Sequence, residues 1–381
     1  MRDPIVSVAI PAYNSARWLP ETMASVLKQT FSELELIVVD DGSTDDTPEV
    51  VKQSADDRVR YVHQENRGLS AARNTGILTA RGKYIAFLDA DDLFRPNKLA
   101  RQLALFEADP ALGLITCGYD LIDESGRLIG EERPWLDAPV IDLRTVLFKD
   151  PLLPSTLLVS RVWLDRIGLF DESLRRYEDW EYAVRATQAG CKMACAKASL
   201  LAYRRHRANM STARHLVPVA TADAVGFMTR FFNRDDLPTE IRALKPKVFG
   251  NLYLDAAARA YGGDMGDKGR EWLEIALAYD PDLGRGDPPM WVVALCGYSQ
   301  GTLVEDTSAY FRSVSANLPG GPKFRRWSQR RLFGQMYATQ AFKSWAIGRR
   351  TRARLSALLA FALDPTLLKN RGLVALGARP W

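Results

Sequence analysis

The sequence predicts an α/β protein in two parts: a mostly parallel sheet flanked by helices over residues 1–215, then an all-α region over 216–381. Three observations predict it. Short apolar runs alternate with amphipathic segments across residues 6–107, the rhythm of strand–helix–strand crossovers. Several of those runs end in acidic or Gly-containing turns. After His206 the apolar spacing becomes helical almost without interruption.

Residues 6–10 read as the first strand and 15–28 as a helix with Leu19, Met23, Val26 and Leu27 on one face. Residues 34–39 form the second strand, closed by Asp40-Asp41-Gly42-Ser43. Thr47-Pro48 supplies an N-cap and a Pro at the first helical position, for a helix reaching about residue 54. A third strand spans 59–63, Ser70 caps a helix to about 80, a fourth strand spans 84–88, and a helix covers 96–107. From 112 to 203 the pattern is mixed, with strands near 114–119, 156–159 and 199–203 and a helix over 180–189 that Gly190 stops. In a parallel sheet ligands lie beyond the carboxyl ends of the strands, and each motif of this half falls at such an end.

The 381 residues are 47% apolar and 25% charged, as in ordinary globular proteins. Net charge is +5, but the cations gather late: from Lys323 to Arg354 there is no Asp or Glu. The chain enters a strand soon after Met1-Arg2-Asp3-Pro4, leaving no room for a signal peptide, and no apolar stretch approaches the ~20 residues of a membrane span. The four cysteines lie outside any metal-ligand spacing. Cys191 and Cys195 would be one turn apart on a helix, but free core thiols are expected. A reduced, cytoplasmic location fits.

The acidic run Asp89-Ala90-Asp91-Asp92 closes the apolar strand 84–88. Unpaired charge is costly inside a protein, so this strand must stop at the surface. Two carboxylates one residue apart at a strand end can converge on a hard cation that also grips a diphosphate; taken alone, the same run is a solvated turn. Four further segments join it. In Ala9-Ile10-Pro11-Ala12-Tyr13-Asn14 a strand runs into an irregular turn whose amides and ring suit a nucleotide pocket. A carboxylate of the run 40–47 can accept hydrogen bonds from a base or ribose. Arg73, one turn into a helix, suits a diphosphate or base carbonyl in a fork geometry. Glu178-Asp179-Trp180 opens a helix, so either carboxylate can serve as a general base, with Glu178 alternatively a cap. There is no phosphate-binding GxxxxGK[ST] loop and no GxGxxG turn after the first strand.

Taken together, these segments resemble the inverting, family 2 glycosyltransferases of GT-A type, in which PAYN, DDGSTDDT, RGxxxARNxG, FLDxDD and ED occur in this order. The resemblance covers about residues 5–211 and implies a Rossmann-like sheet. It implies that Pro11 and Tyr13 line the donor pocket and that Asp40 and Asp41 contact base and ribose. Arg73 would hold the base or phosphate end, with Glu178 also on the substrate side. Asp89 and Asp91 would form the D-x-D pair, Asp91 being the direct metal ligand. Asp179 would be the catalytic base. Residues 203–211 resemble a Y-R-x-H-x-x-x-x-S segment whose His approaches metal and diphosphate, which makes His206 the candidate; a solvated basic loop is the competing reading. Mn²⁺ or Mg²⁺ is the implied cofactor. The implied activity moves a sugar from a nucleotide-diphosphate donor, foremost a UDP-sugar, to a glycan or lipid-linked acceptor in bacterial surface polysaccharide synthesis. A noncatalytic nucleotide-sugar-binding or scaffold protein is the alternative, which intact Asp89, Asp91 and Asp179 oppose.

The carboxy-terminal region contains a weak repeat. Tyr253, Ala257, Tyr261, Ala276, Ala278 and Asp280-Pro281 recur 84 residues later as Tyr337, Ala341, Trp345, Ala360, Ala362 and Asp364-Pro365. This is similar to a tetratricopeptide-type hairpin, with an ordinary helical bundle as the equal alternative. The basic segment 323–354, whose run 323–333 mixes cations with Phe324, Trp327 and Phe333, suits either a peripheral contact with an anionic membrane or a solvated helix face. No recognition fold accompanies it, so nucleic acid is not an expected partner.

Overall fold

A computed structural model describes the chain except residues 1, 2, 207, 208, 211, 212, 264, 301–303, 305, 347 and 379–381. Two compact units result, Met1–Asn209 and Met210–Trp381.

In the first unit nine strands form one sheet: β1 (Val6–Ala12), β2 (Leu34–Asp41), β3 (Val59–Gln64), β4 (Tyr84–Phe87), β5 (Leu93–Phe94), β6 (Leu112–Ile122), β7 (Leu128–Glu132), β8 (Leu158–Ser160) and β9 (Lys192–Arg204). Their order is β3-β2-β1-β4-β8-β6-β9-β5, with β7 added on β6. β1 pairs in parallel with β2 and β4, β2 with β3, and β6 with β9, while β8 runs antiparallel between β4 and β6. β1 and β2 are buried along their whole length, which is why they read as unbroken apolar runs rather than alternating ones. The carboxyl ends of β1, β2, β4 and β9 therefore open on one edge of the sheet.

Eight helices accompany the strands: α1 (Leu19–Leu27), α2 (Thr47–Lys52), α3 (Leu69–Thr79), α4 (Lys98–Ala108), α5 (Pro134–Asp137), α6 (Leu143–Phe148), α7 (Arg161–Ile167) and α8 (Glu178–Gln188). α3 lies against β1 and β2 because Gly76 has no side chain; a Cβ there would stand 2.7 Å from that of Ala9. α1 begins four residues later than the periodicity suggests. The Ser15 and Ala16 amides are committed to Thr47 Oγ1 (2.8 Å) and Asp45 Oδ2 (3.1 Å), and the helix starts only at Leu19, with Pro20 in its first turn. The segment of Cys191 and Cys195 is not helical. It leads into and forms β9, paired with β6, so the two thiols do not share a helix face.

The second unit is helical: α9 (Val217–Phe232), α10 (Thr239–Arg242), α11 (Lys245–Tyr261), α12 (Gly266–Tyr279), α13 (Met290–Tyr298), α14 (Thr307–Ala316), α15 (Pro322–Arg325), α16 (Gln329–Ala346), α17 (Arg350–Leu363) and α18 (Arg371–Ala378). The repeat is structural. α11–α12 and α16–α17 are equivalent hairpins, each followed by a 3₁₀ turn capped by an aspartate: Asp280 accepts from Asp282 N and Asp364 from Thr366 N, both at 3.1 Å. Gly250 and Gly334, 84 residues apart, make the same close approach. A Cβ on either would meet the Cβ of Asp280 or Asp364 at 2.6 and 2.7 Å. Small residues thus set the spacing of both hairpins.

The apolar members of 323–333 are not available to a membrane. Trp327 (1% exposed) and Leu332 (0%) are buried in the helical core, where Trp327 packs edge-on to Trp291, and Phe324 and Phe333 pack against the same cluster. This run spans the end of α15, a short turn and the start of α16, with its apolar residues on the core and its cations outside. No helix among the described residues is long and apolar enough to cross a membrane.

Candidate active site

The acidic run after β4 is held from three sides. Thr22 of α1 donates to Ala90 O at 2.9 Å, Ser155 Oγ accepts from Asp89 N at 3.0 Å, and Asp92 Oδ1 accepts from Arg204 N at the end of β9 at 3.0 Å. Arg204 is itself buried. It reaches Asp91 O (3.1 Å) and Glu21 (2.6 Å) and lies 4.4 Å over the Trp18 ring. Asp92 is fully buried, and burial with the nearby Asp91 and Asp89 carboxylates pushes its pKa well up.

Asp89 and Asp91 then face different partners. Asp89 Oδ1 lies 2.8 Å from Arg73 Nη2, while Arg73 Nη1 lies 2.5 Å from Glu178 Oε1. Arg73 is 2% exposed, with both ends of its fork engaged, so it does not present itself to a ligand as expected. Its position inside α3, between two carboxylates of other elements, makes it a clamp joining β4 to α8. Asp91 Oδ2 instead meets His206 Nε2 at 2.8 Å and Asn209 Nδ2 at 3.3 Å. The His206 ring stacks on Trp18 with centroids 5.9 Å apart, and Asn209 Oδ1 accepts from His206 N at 2.5 Å. His206 is therefore no solvated loop residue. Arg207, Ala208 and Ser211 of its segment lie outside the described residues.

Asp40 and Asp41 turn inward. Asp40 is fully buried and accepts from Tyr61 OH (2.6 Å) and Ser43 N (2.9 Å), with His63 Nδ1 at 3.4 Å. Asp41, 4% exposed, accepts from Gln64 Nε2, Arg67 N and Gly68 N at 2.7–2.9 Å. Both brace the loops around β2. For Asp40 this corrects the expectation of a base or ribose contact, since a fully buried carboxylate draws its donors from the neighbouring strand. Pro11 is buried within β1, whereas Tyr13 is 52% exposed at the strand end, beside Asn14 in the left-handed region (φ 49°). Asn14 Oδ1 accepts from Thr44 N at 2.8 Å, so the turns after β1 and β2 form one rim.

α8 starts from Tyr177, whose φ of 61° is uncommon for a bulky residue and turns the chain sharply into Glu178 and Asp179. Trp180 is a packing residue whose Nε1 donates to Val146 O of α6 at 2.5 Å. Asp179 Oδ1 accepts from Trp180 N at 2.9 Å. Burial, then repulsion from Glu178, raises the Asp179 pKa to about 7 against the opposing pull of Arg73 and Arg176. Asp150, which no sequence motif marked, hydrogen-bonds to Asp179, and its own pKa is well raised by desolvation and by the charge of Asp179. Because Asp150 is exposed to solvent, repulsion is the stronger of these two causes. Asp150 and Asp179 are a carboxyl pair able to share one proton.

Among the described residues no three His, Cys, Asp or Glu side chains converge on one point. Asp91 and His206 do converge as a pair. One carboxylate and one imidazole suit a Mg²⁺ or Mn²⁺ ion that takes its remaining ligands from water and phosphate.

Residues 7–151 match the model of glycosyl transferase family 2. An uncharacterized glycosyltransferase of Rickettsia prowazekii is 38% identical over 185 residues, 47% of this chain and 57% of the relative. Chondroitin synthase of Escherichia coli is 31% identical over 191 residues, 50% of this chain and 27% of the relative. The chain spans about half the length of the Rickettsia relative and less of the synthase. The fold is similar to that of the mannosyltransferase PcManGT from Pyrobaculum calidifontis, solved with GDP-Man and Mn²⁺ (TM-score 0.54, 19% identity, covering 83% of this chain and 88% of that one).

Proposed function

We propose that this chain, whose amino-terminal unit belongs to glycosyl transferase family 2 and has the GT-A fold, is a metal-dependent inverting glycosyltransferase. The donor is a nucleoside-diphosphate sugar, foremost a UDP-sugar. The acceptor is a glycan or lipid-linked saccharide of a bacterial surface polysaccharide. One observation carries the reading: Arg73 ties the Asp89 end of the acidic run to the Glu178-Asp179 end of α8, so one clamp joins the donor-facing and acceptor-facing carboxylates.

Asp179 acts as general base. With a pKa of about 7 it is substantially ionised at neutral pH yet basic enough to take the acceptor hydroxyl proton as the oxygen attacks the anomeric carbon. The bond from that carbon to the diphosphate oxygen breaks in the same displacement, which inverts the centre, and the nucleoside diphosphate leaves with the bonding pair. Asp150 holds the shared proton and donates to Asp179, keeping the latter's free lone pair for the acceptor. Glu178 and Asp89 are aligned by Arg73. Tyr13 and the rim after β1 and β2 support the nucleoside, with Asp40 and Asp41 shaping that rim. Asp91 and His206 would hold Mn²⁺ or Mg²⁺, which supplies charge neutralisation to the leaving diphosphate.

Calorimetric titration with UDP-, GDP- and other nucleotide-sugars, with and without Mn²⁺, tests the reading alongside Asp91→Ala. Metal-dependent binding of one donor, lost in the variant, is expected. Metal-independent binding retained by Asp91→Ala would sink the proposed metal site. The anomeric configuration of the product tests inversion.

A further inference from the structure

We propose that the outer face of α17 is a docking surface for an anionic lipid bilayer. This inference stands apart from the transferase reading and rests on the two repeats.

On α17, Leu355, Leu358 and Leu359 are 51%, 48% and 46% exposed, while Ala353, Ala357 and Ala360 are buried. The helix turns its small residues inward and its large apolar ones outward, at the i, i+3, i+4 spacing of a single face. The repeat supplies the control. The positions of Leu355 and Leu358 are held in α12 by Glu271 and Glu274, both exposed, and that of Arg352 by Lys268, which pairs with Glu271 at 2.8 Å. The position of Leu359 is held by Ile275, which is partly buried against the helical core, so it is Leu355 and Leu358 that the packing of the hairpin does not call for.

The same comparison excludes a further helical repeat as the occupant. α12 is followed by several more helices, and Glu271 and Glu274 remain open to solvent. Stacking in this array does not cover that face. A second copy of the chain is disfavoured by charge. From residue 323 onward the sequence holds thirteen Lys and Arg against the single acid Asp364, which is buried against Arg331. The rest of the chain is net negative, given +5 for the whole. Two such basic faces repel, whereas leucines rimmed by exposed Arg349, Arg350 and Arg352 match an anionic headgroup layer over acyl chains.

Flotation of the full chain with phosphatidylcholine vesicles, with and without phosphatidylglycerol, tests this. The chain should float with the anionic vesicles and be released by salt. Leu355→Glu/Leu358→Glu, which restores the residues of the first repeat, should weaken partitioning about tenfold or more. Arg352→Glu should weaken it by a smaller, salt-sensitive factor of about fivefold. Leu136→Glu, which alters an exposed leucine of the first unit, should change nothing. Circular dichroism checks that each variant is folded. Undiminished flotation of the folded double variant overturns the proposal, as does equal binding to neutral vesicles. So does a concentration-dependent dimer that the double variant abolishes, or binding to soluble polyanions with none to vesicles.

Discussion

In the α/β unit the charged side chains Glu35, Asp40, Asp41, Arg73, Asp92, Lys98, Glu178 and Arg204 are buried; in the helical unit, among the described residues, Asp364 alone is. The two units hold charge in opposite ways. In the first, titratable groups are taken from water and several are held by close partners, as where Arg73 answers Asp89 and Glu178. In the second, cations line the surface and the interior is closed by glycine, alanine and aromatic rings. Buried charge is costly unless paired, so the gathering of six of these eight, all but Glu35 and Lys98, near the carboxyl edge of the strands marks where the fold gives up stability for chemistry. Among its described residues the helical unit carries no such cluster, and its distinctive feature faces outward.

The sharpest way to break this contrast is Arg73→Met. It strands the buried Glu178 and the half-buried Asp89 and should cost about 3–5 kcal/mol by denaturant unfolding, with loss of turnover. An equally stable, active variant would mean that the clamp is incidental. Asp179→Asn should lower turnover by about 10²–10⁴ with donor affinity retained. Its stability effect has a definite sign. A carboxyl raised to about 7 by folding makes the protein less stable as pH climbs from about 4 to 7, so the asparagine variant should gain on wild type at pH 8 and match it at pH 4. Unfolding at the two pH values measures this.

For the helical unit, Gly334→Ala should cost about 1–3 kcal/mol, since the new Cβ would stand 2.7 Å from that of Asp364. Gly250→Ala should behave alike, and unequal losses would argue that the two hairpins are not packed equivalently. The smallest effect is expected for Asp150→Ala. Loss of its donated hydrogen bond should move the acidic limb of the kcat/KM profile upward by about half a pH unit, and Asp150→Asn should largely restore it. A downward shift would show that Asp150 is ionised and that the proton resides on Asp179.

Much of the site was legible because its residues sit on strand ends and helix starts, where local pattern and chemistry coincide. The positions of Asp89, Asp91, Glu178 and Asp179 at such ends followed from this, whereas His206 entered only through the resemblance of its segment to the family's Y-R-x-H pattern. Asp150 was not legible. It lies in a stretch of irregular structure after α6, and only the contact between α6 and α8 brings it to Asp179. Ser155 was likewise silent, since it acts through one hydrogen bond to a loop distant in sequence, and the segment 203–211 did not disclose that Arg204 would be buried beneath the acidic run. Arg73 and Asp40 were visible, but their direction was misread: a helix or strand position says that a side chain is near the edge, not whether neighbours already saturate it. The run 323–333 left a membrane contact and a solvated helix face open, because its mixture of cations and aromatics does not say which residues the helical core takes up.

The sequence by itself determined the alternation of strands and helices, the edge at which the acidic motifs gather, and the 84-residue repeat. Each of these rests on local periodicity and on the high cost of ending a buried strand anywhere but at the surface. Tertiary structure alone decided which carboxylates pair with Arg73, which carboxyl lies beside Asp179, and which face of α17 is left open to solvent. Those outcomes depend on distances between segments far apart in the chain. Burial and charge pairing act through space and leave no period in the sequence to read.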